Sequence, residues 1–133
     1  MGKLERICIS VPSDLLADFD KAIGEVGYPN RSKAVQDAMR ALLAELRALK
    51  SLGGPARGAI VMIYAHRKPG LVQELLEIQH EHEDLVIATM HVHLTEEECL
   101  EVIAVEGDAA RMRALADALR VKKGVRALKA VVL

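Results

Sequence analysis

The sequence predicts an α/β (α+β) protein in which a short βαα segment precedes a βαββαβ domain. Two observations lead to this fold class. The spacing of apolar residues switches between period two and helical period in each half of the chain, and a Ser-Leu-Gly-Gly-Pro segment at 51–55 separates the halves. Such a segment is typical of a hinge. We therefore expect an N-terminal domain at 1–50, a linker at 51–57 and a second domain at 58–133.

The N-terminal domain is expected to begin with a strand at residues 5–11, where apolar and polar side chains alternate strictly. Two helices should follow. The first starts after Pro12, which suits a first helical turn because proline lacks an N–H donor. The second starts at a cap formed by Asn30 or Ser32 and runs to about Leu49, with apolar residues three and four positions apart.

This βαα segment is too small to bury its apolar surface alone. A strand and two helices in about 50 residues leave helix faces uncovered and give the strand no partner. Pairing with a second copy would join two strands into a ribbon and cover the helices. We therefore expect an intertwined dimer.

The second domain shows six elements in the order of the ferredoxin-like split motif. They are expected as a strand at 58–66, a helix at 69–80, strands at 84–93 and 99–106, a helix at 108–121 and a strand at 125–132. Two of the strands are apolar on both faces. Because helices cover only one face of such a sheet, we expect the second face to meet another subunit.

Candidate metal ligands cluster around one predicted hairpin. His91 and His93 lie two residues apart in a strand, so both imidazoles should face one side, and the hairpin would bring Cys99 back beside His93. His80 or His82, at the preceding helix end, could supply a fourth ligand. Three imidazoles and a thiolate suit tetrahedral Zn(II) or planar Cu(II) or Ni(II). Spacing alone also allows surface histidines and a buried thiol.

A candidate DNA-binding surface is the polar row of the first strand. A two-stranded ribbon fits the major groove of B-DNA, where Arg can read guanine and Ser several bases. The start of the second helix would meet the phosphate backbone with its N–H groups and dipole. The net charge of −1 shows no basic excess, and the row could instead be a solvated strand face. The residues concerned are Arg6, Cys8 and Ser10 in the strand, and Asn30, Arg31 and Ser32 at the helix start.

The motifs described above resemble those of a known family. Residues 5–49 resemble ribbon-helix-helix repressors of the MetJ and Arc type, and the whole chain resembles the nickel-responsive regulators (NikR), whose C-terminal domain has an ACT-like, ferredoxin-type fold. The motifs that carry this resemblance are Arg-Ile-Cys-Ile-Ser-Val at 6–11, Asn-Arg-Ser at 30–32, Gln-His at 79–80, His-Val-His at 91–93 and Cys99.

The resemblance implies a homotetramer, built as a dimer of dimers, that represses nickel-uptake genes by binding operator double-stranded DNA. It implies Ni(II) bound by His91, His93 and Cys99 of one subunit and His80 of another. Gln79 and Tyr64 would then support the ligands without binding the metal. A regulator of another metal such as Cu, Zn or Co remains an alternative.

Two positions depart from the family pattern. Cys8 stands where the middle base-reading residue usually carries a hydroxyl, so the operator sequence is open. The family also has a weaker cation site near the DNA-binding dimers that uses two acidic residues. Here one of those positions is Lys33, while Asp37 retains the acid. The reversed charge argues against that site in its usual form.

Composition limits the other classes. We find no acid–base pair typical of an enzyme. We expect four glutamates around the predicted turn to be solvated: Glu96, Glu97, Glu98 and Glu101. A metal-dependent enzyme or metal store stays an alternative. The two cysteines are far apart and form no disulfide framework. Without a signal peptide or an apolar run long enough for a membrane, a cytoplasmic location is expected.

Overall fold

A computed structural model describes residues 2–133, which divide into two compact units between Glu45 and Leu46. The first unit consists mainly of helix, and the second contains a four-stranded sheet. The elements are α1 Ser13–Val26, α2 Arg31–Ser51, β1 Pro55–Ala65, α3 Leu71–Glu81, β2 Val86–His93, β3 Glu98–Asp108, α4 Ala109–Arg120 and β4 Val125–Val132.

The segment before α1 differs from the prediction. Residues 2–12 form neither helix nor strand in the single chain, so the strand expected at 5–11 is absent there. A strand needs a partner for its backbone N–H and C=O groups, and this chain supplies none at that segment. Ile7 and Ile9 are both exposed. The ribbon-helix-helix arrangement, which depends on a second copy, therefore remains a prediction.

Local signals in the sequence set the ends of the first two helices. Gly27 ends α1 in the left-handed conformation, with its N–H donating to the Ile23 carbonyl at 3.0 Å. Asn30, rather than Ser32, caps α2, because its Oδ1 accepts the backbone N–H of Lys33 at 2.9 Å. No residue of α1 is fully buried, and Leu16, Phe19 and Ile23 on its apolar face are only partly covered within the described chain.

The second unit has the expected ferredoxin-like topology. Its strands lie in the order β2-β3-β1-β4, and each neighbouring pair is antiparallel. Element bounds shift by a few residues from the prediction. The largest shift is at β1, which begins at Pro55 instead of residue 58 because its first residues pair with the end of β3. Residues 52–54 are therefore all that separates α2 from the sheet.

One face of the sheet packs against α3 and α4. Alternate residues of β1 and β3 are buried on this face, as the period of two requires. The other face carries partly exposed apolar side chains, including Met90 and Val92. The buried core includes Ile60, Met62, Leu71, Leu75, Ile103, Val105, Met112, Leu115 and Leu119.

None of the helices formed by residues 2–133 combines the length and the hydrophobicity that a membrane span requires.

Candidate metal centre

Cys99 lies at the centre of a row of side chains that crosses three strands. His93 of β2 and Tyr64 of β1 are its direct partners on either side. Directly opposed residues of neighbouring strands point to the same face, so the three side chains share the helix-covered face of the sheet. Cys99 is only 2% exposed. The hairpin expected from the sequence therefore does bring Cys99 beside His93.

A second row lies two residues further along the same strands. His91 of β2 pairs with Glu101 of β3, which pairs in turn with Met62 of β1. Glu101 is 1% exposed, which contradicts the expectation of a solvated carboxylate. The expectation was wrong because it was based on the acidic turn that precedes this residue. Glu101 lies two residues after Cys99 in the same strand, so both side chains point to the same buried face.

Polar neighbours surround the Glu101 carboxylate. Gln79 of α3 donates from Nε2 to Oε2 at 2.7 Å, and Nδ1 of His91 lies 3.5 Å from Oε1. The Tyr64 hydroxyl oxygen is 3.4 Å from the same Nδ1. Tyr64, which the resemblance placed near the metal, thus lies beside the predicted ligand His91, and Gln79 is connected to that ligand through Glu101. Glu101 is a residue that sequence reasoning missed.

Tyr64 keeps its proton in this environment. Burial raises the pKa of Tyr64 well above its usual value, and a hydrogen bond to Cys99 and the charge of Glu101 raise it further. The phenol is therefore a hydrogen-bond donor throughout the physiological range.

His66 is a second residue that sequence reasoning missed. Its ring meets the ring of His93 edge to face, with centroids 5.3 Å apart and an interplanar angle of 88°. Its Nε2 is buried and has no hydrogen-bond partner among the described residues. The alternation of side chains along a strand could have indicated this position. His66 follows Tyr64 by two residues at the end of β1, so both side chains point to the same face.

His80 faces away from these rows. Its side chain is 80% exposed, and its Nδ1 lies 3.4 Å from Oε2 of Glu83, one turn further along the chain. Gln79, the preceding residue, is buried. Consecutive helical residues point about 100° apart, so one can face the sheet while the next faces solvent. His82, the other candidate, places its Nδ1 2.8 Å from the carbonyl of Ile78.

Within residues 2–133, no three His, Cys, Asp or Glu side chains are already grouped closely enough to hold a metal ion. The backbone nevertheless places two imidazoles and one thiol on adjacent positions of one sheet face. The nitrogen and sulfur donors of this set fit Ni(II) chemically. The three donors are not gathered at a common point in the described residues of the single chain.

The predicted DNA-binding residues lie in the first unit. Cys8 is exposed, as are Arg6 and Ser10, in the segment that forms no strand in the single chain. Arg31 is paired with Asp20 of α1 through Nε and Nη2 at 2.8 and 2.6 Å. The Arg31 guanidinium holds the pKa of the Asp20 carboxyl below its usual value. Any phosphate contact by Arg31 would have to use its remaining N–H groups.

Asp37 forms the centre of a small polar cluster near the start of α2. It accepts hydrogen bonds from Nζ of Lys33 at 2.6 Å, from the Tyr28 hydroxyl at 2.8 Å and from Arg40 at 3.2 Å. The hydrogen bonds from Lys33 and Tyr28 lower the pKa of Asp37. Lys33 and Asp37, the two positions that the resemblance assigns to the family's weaker cation site, thus form an internal ion pair in this chain.

Comparison with known proteins identifies the family. Residues 57–133 match the model of the NikR C terminal nickel binding domain. A protein of Methanocaldococcus jannaschii named "Putative nickel-responsive regulator" is 43% identical over 129 residues, which cover 97% of this chain and 92% of the relative. A Chlorobaculum tepidum protein of the same name is 47% identical over 128 residues, covering 96% and 94% respectively.

A solved structure supports the fold of part of the chain and nothing further. An uncharacterized protein from Thermotoga maritima aligns with a TM-score of 0.52 at 22% identity, covering 59% of this chain and 98% of that one. The family match and the full-length relatives give information about function as well as fold. They describe regulators rather than enzymes, and the matched domain is the nickel-binding one. The chain therefore belongs to the family of nickel-responsive regulators.

Proposed function

We propose that this chain is a nickel-dependent, DNA-binding transcriptional repressor of nickel-uptake or nickel-related genes. The observation that carries the proposal is the placement of His91, His93 and Cys99 on one face of the β2–β3 hairpin, in a chain whose domain matches a nickel-binding family. The three residues would hold Ni(II) through imidazole nitrogen and thiolate sulfur. Tyr64 and Gln79 would support them from the neighbouring strand and helix.

The fourth ligand is proposed to be His80 of another subunit. The outward position of His80 supports this assignment, because its exposed imidazole is available to a neighbour while its own chain's thiol is buried. The apolar open face of the sheet, with Met90 and Val92 partly exposed, supports association of the second domains. A tetramer assembled as a dimer of dimers would satisfy both features.

DNA binding is proposed for a dimer of the N-terminal domains. The exposed apolar row with Ile7 and Ile9, and the incompletely covered face of α1, favour pairing with a second copy. The paired strands would present Arg6, Cys8 and Ser10 to the major groove. The capped start of α2 would approach the phosphate backbone.

Metal binding would then act on DNA binding through the arrangement of subunits. A ligand shifts an equilibrium only if its affinity differs between the two states. Four ligands drawn from two chains meet in only one arrangement of those chains. Bound Ni(II) would stabilise this arrangement, and the Gly53-Gly54 segment would let each DNA-binding dimer adjust to the operator.

Nickel-dependent retention of DNA tests the proposed function. The full chain is incubated with a pool of random duplexes, with nickel or with chelator, and the retained duplexes are sequenced. We expect one sequence family to be retained only with nickel. Arg6→Ala should weaken discrimination at one base position by about 1–3 kcal/mol, because a bidentate contact to guanine is lost.

Lys3→Ala is the matched control, since it removes a positive charge from the same segment but from the row that alternates with Arg6. It should weaken binding to all duplexes more evenly. Equal retention with and without nickel would contradict the proposed function. Unchanged base preference in Arg6→Ala would contradict the ribbon interface.

Lys33 predicts a further property of the DNA-binding domain. Its ammonium contacts Asp37 at 2.6 Å and so supplies a positive charge where the resemblance implies a bound cation. At constant ionic strength, DNA affinity should be nearly the same in potassium, calcium and tetramethylammonium salts. Lys33→Glu should create a requirement for potassium or calcium, because two carboxylates one turn apart repel each other unless a cation lies between them.

Lys33→Gln is the control, because it removes the ammonium without adding a second carboxylate. It should lower DNA affinity equally in all three salts. A strong requirement for one particular cation in the unmodified protein would rule out the proposed role of Lys33.

A further inference from the structure

Arg31 and Asp20 form an ion pair that ties the start of α2 to the middle of α1. Nε of Arg31 donates to Oδ1 of Asp20 at 2.8 Å, and Nη2 donates to Oδ2 at 2.6 Å. Two donors on one edge of the guanidinium thus meet both oxygens of one carboxylate, which fixes the plane of the guanidinium as well as its position. The ammonium of a lysine could not be oriented in this way.

The rest of the Arg31 guanidinium remains available to a ligand. An arginine side chain carries five N–H donors. The ion pair uses two of them, so three remain on the edges that do not face Asp20. The side chain of Arg31 is 59% exposed and that of Asp20 is 39% exposed, so the pair lies at the surface of the first unit.

We infer that Asp20 is a positioning residue for DNA binding, which holds the Arg31 guanidinium so that its free donors meet a backbone phosphate and which neutralises the charge of that guanidinium. This inference rests on the proposed function, which places the start of α2 against the phosphate backbone. Because the guanidinium is already fixed, the contact costs less side-chain entropy than ordering a free arginine would.

The first turn of α2 supplies further donors beside this guanidinium. Oδ1 of Asn30 accepts the backbone N–H of Lys33. The N–H groups of Arg31 and Ser32, at the first two positions of the helix, have no partner within the helix. A phosphate at this place would accept hydrogen bonds from the backbone through one oxygen and from the Arg31 side chain through another. Such contacts set the register of a protein on the duplex.

The ion pair also determines what kind of contact Arg31 makes. Hydrogen bonds from Arg31 lower the pKa of Asp20, so the carboxylate is charged at neutral pH. A guanidinium beside this carboxylate adds almost no net charge, and its phosphate contact therefore releases few counterions. The contact would favour a phosphate in one position and direction over the general attraction between cations and DNA. Asp20 would thereby increase discrimination between the operator and other DNA.

Asp20→Asn in the full chain with nickel tests the inference. Affinity is measured for a duplex of the retained sequence family and for a duplex of the same composition in scrambled order. The substitution releases the guanidinium and restores its net charge. The ratio of the two affinities should fall roughly 10-fold, the scale of one charge-assisted hydrogen bond. The slope of log affinity against log salt concentration should become steeper by about 0.9, which corresponds to one further neutralised phosphate.

Controls separate positioning from charge and from stability. Asp18→Asn removes the same charge from an exposed position of α1 and should change neither the ratio nor the slope. Adding Asp20→Asn to Arg31→Ala should not lower the ratio further, because the carboxylate acts through the arginine. Exposed ion pairs contribute little to stability, so Asp20→Asn should fold. If it does not, Asp20→Glu should lower the ratio and leave the slope unchanged, because it keeps the charge but moves the carboxylate.

An affinity ratio in Asp20→Asn within about twofold of that of the unmodified protein would overturn the inference, whatever the slope. A further fall of the ratio when Asp20→Asn is added to Arg31→Ala would also overturn it, since Asp20 would then act without the arginine. Failure of the proposed function has a different signature. In that case the unmodified protein would retain no sequence family from the random duplexes, with or without nickel.

Discussion

Replacing Cys99 with Ala should abolish high-affinity nickel binding. Cys99 supplies the sulfur of the proposed site, at the centre of the row formed with His93 and Tyr64. Losing a ligand should cost more than the about 10- to 100-fold loss that follows removal of a supporting residue. A nickel titration followed by absorption spectroscopy measures the change, because the thiolate-to-nickel charge-transfer band should be absent from Cys99→Ala.

The chain offers a matched control in its other cysteine. Cys8 is exposed and lies in the first unit, so Cys8→Ala should keep both the band and the affinity. Nickel affinity of the unmodified protein should also fall in acid, because protons compete with the metal for the thiolate and the imidazoles. A band that persists in Cys99→Ala, or that disappears in Cys8→Ala, would show that the sulfur ligand is assigned wrongly.

The sequence was sufficient to predict the helices and strands of the second domain. It also predicted that the candidate ligands of the hairpin point to one face of the sheet. Strand parity alone places His91 and His93 on one face, and the short turn to β3 brings Cys99 opposite His93. The β1 boundary was less predictable. Its first residues pair with the end of β3, and such pairing depends on contacts distant in the chain rather than on local composition.

Glu101 shows where local reasoning failed although the signal was present. An acidic residue shortly after Glu96, Glu97 and Glu98 suggested a solvated stretch. The period of two from Cys99 through Glu101 to Ile103 places it on the buried face instead. Burial of a charge depends on partners such as Gln79, which comes from a helix 22 residues earlier and is invisible to local patterns.

The first strand illustrates a different limit. Residues 5–11 have a clear alternation, yet the single chain forms no strand there. Alternation describes which side chains would share a face, whereas a strand also requires a partner for its backbone. The missing partner is one that another copy of the chain could supply.

The proposed nickel site also depends on a second chain. The most informative experiment is therefore one that measures which chain supplies the fourth nickel ligand. His80→Ala and Cys99→Ala are each expected to lose the intact four-ligand site. If His80 serves another subunit, mixing the two variants should restore nickel binding. A site built from the hairpin of a His80→Ala chain and His80 of a Cys99→Ala chain contains every ligand, while the reciprocal site lacks two.

With equal amounts and random exchange of subunits, roughly one site in four should be intact. The charge-transfer band should therefore return at a fraction of its full intensity, after subunit exchange has been verified by native mass spectrometry of isotopically labelled chains. The control mixture is His91→Ala with Cys99→Ala. Both of these residues lie on one hairpin, so no mixed site can contain the full set and no band should return.

Absence of recovery in the first mixture would mean that all four ligands come from one chain. Because the His80 ring is 80% exposed in that chain, α3 would then have to turn to reach its own hairpin, and nickel would act within a subunit rather than between subunits.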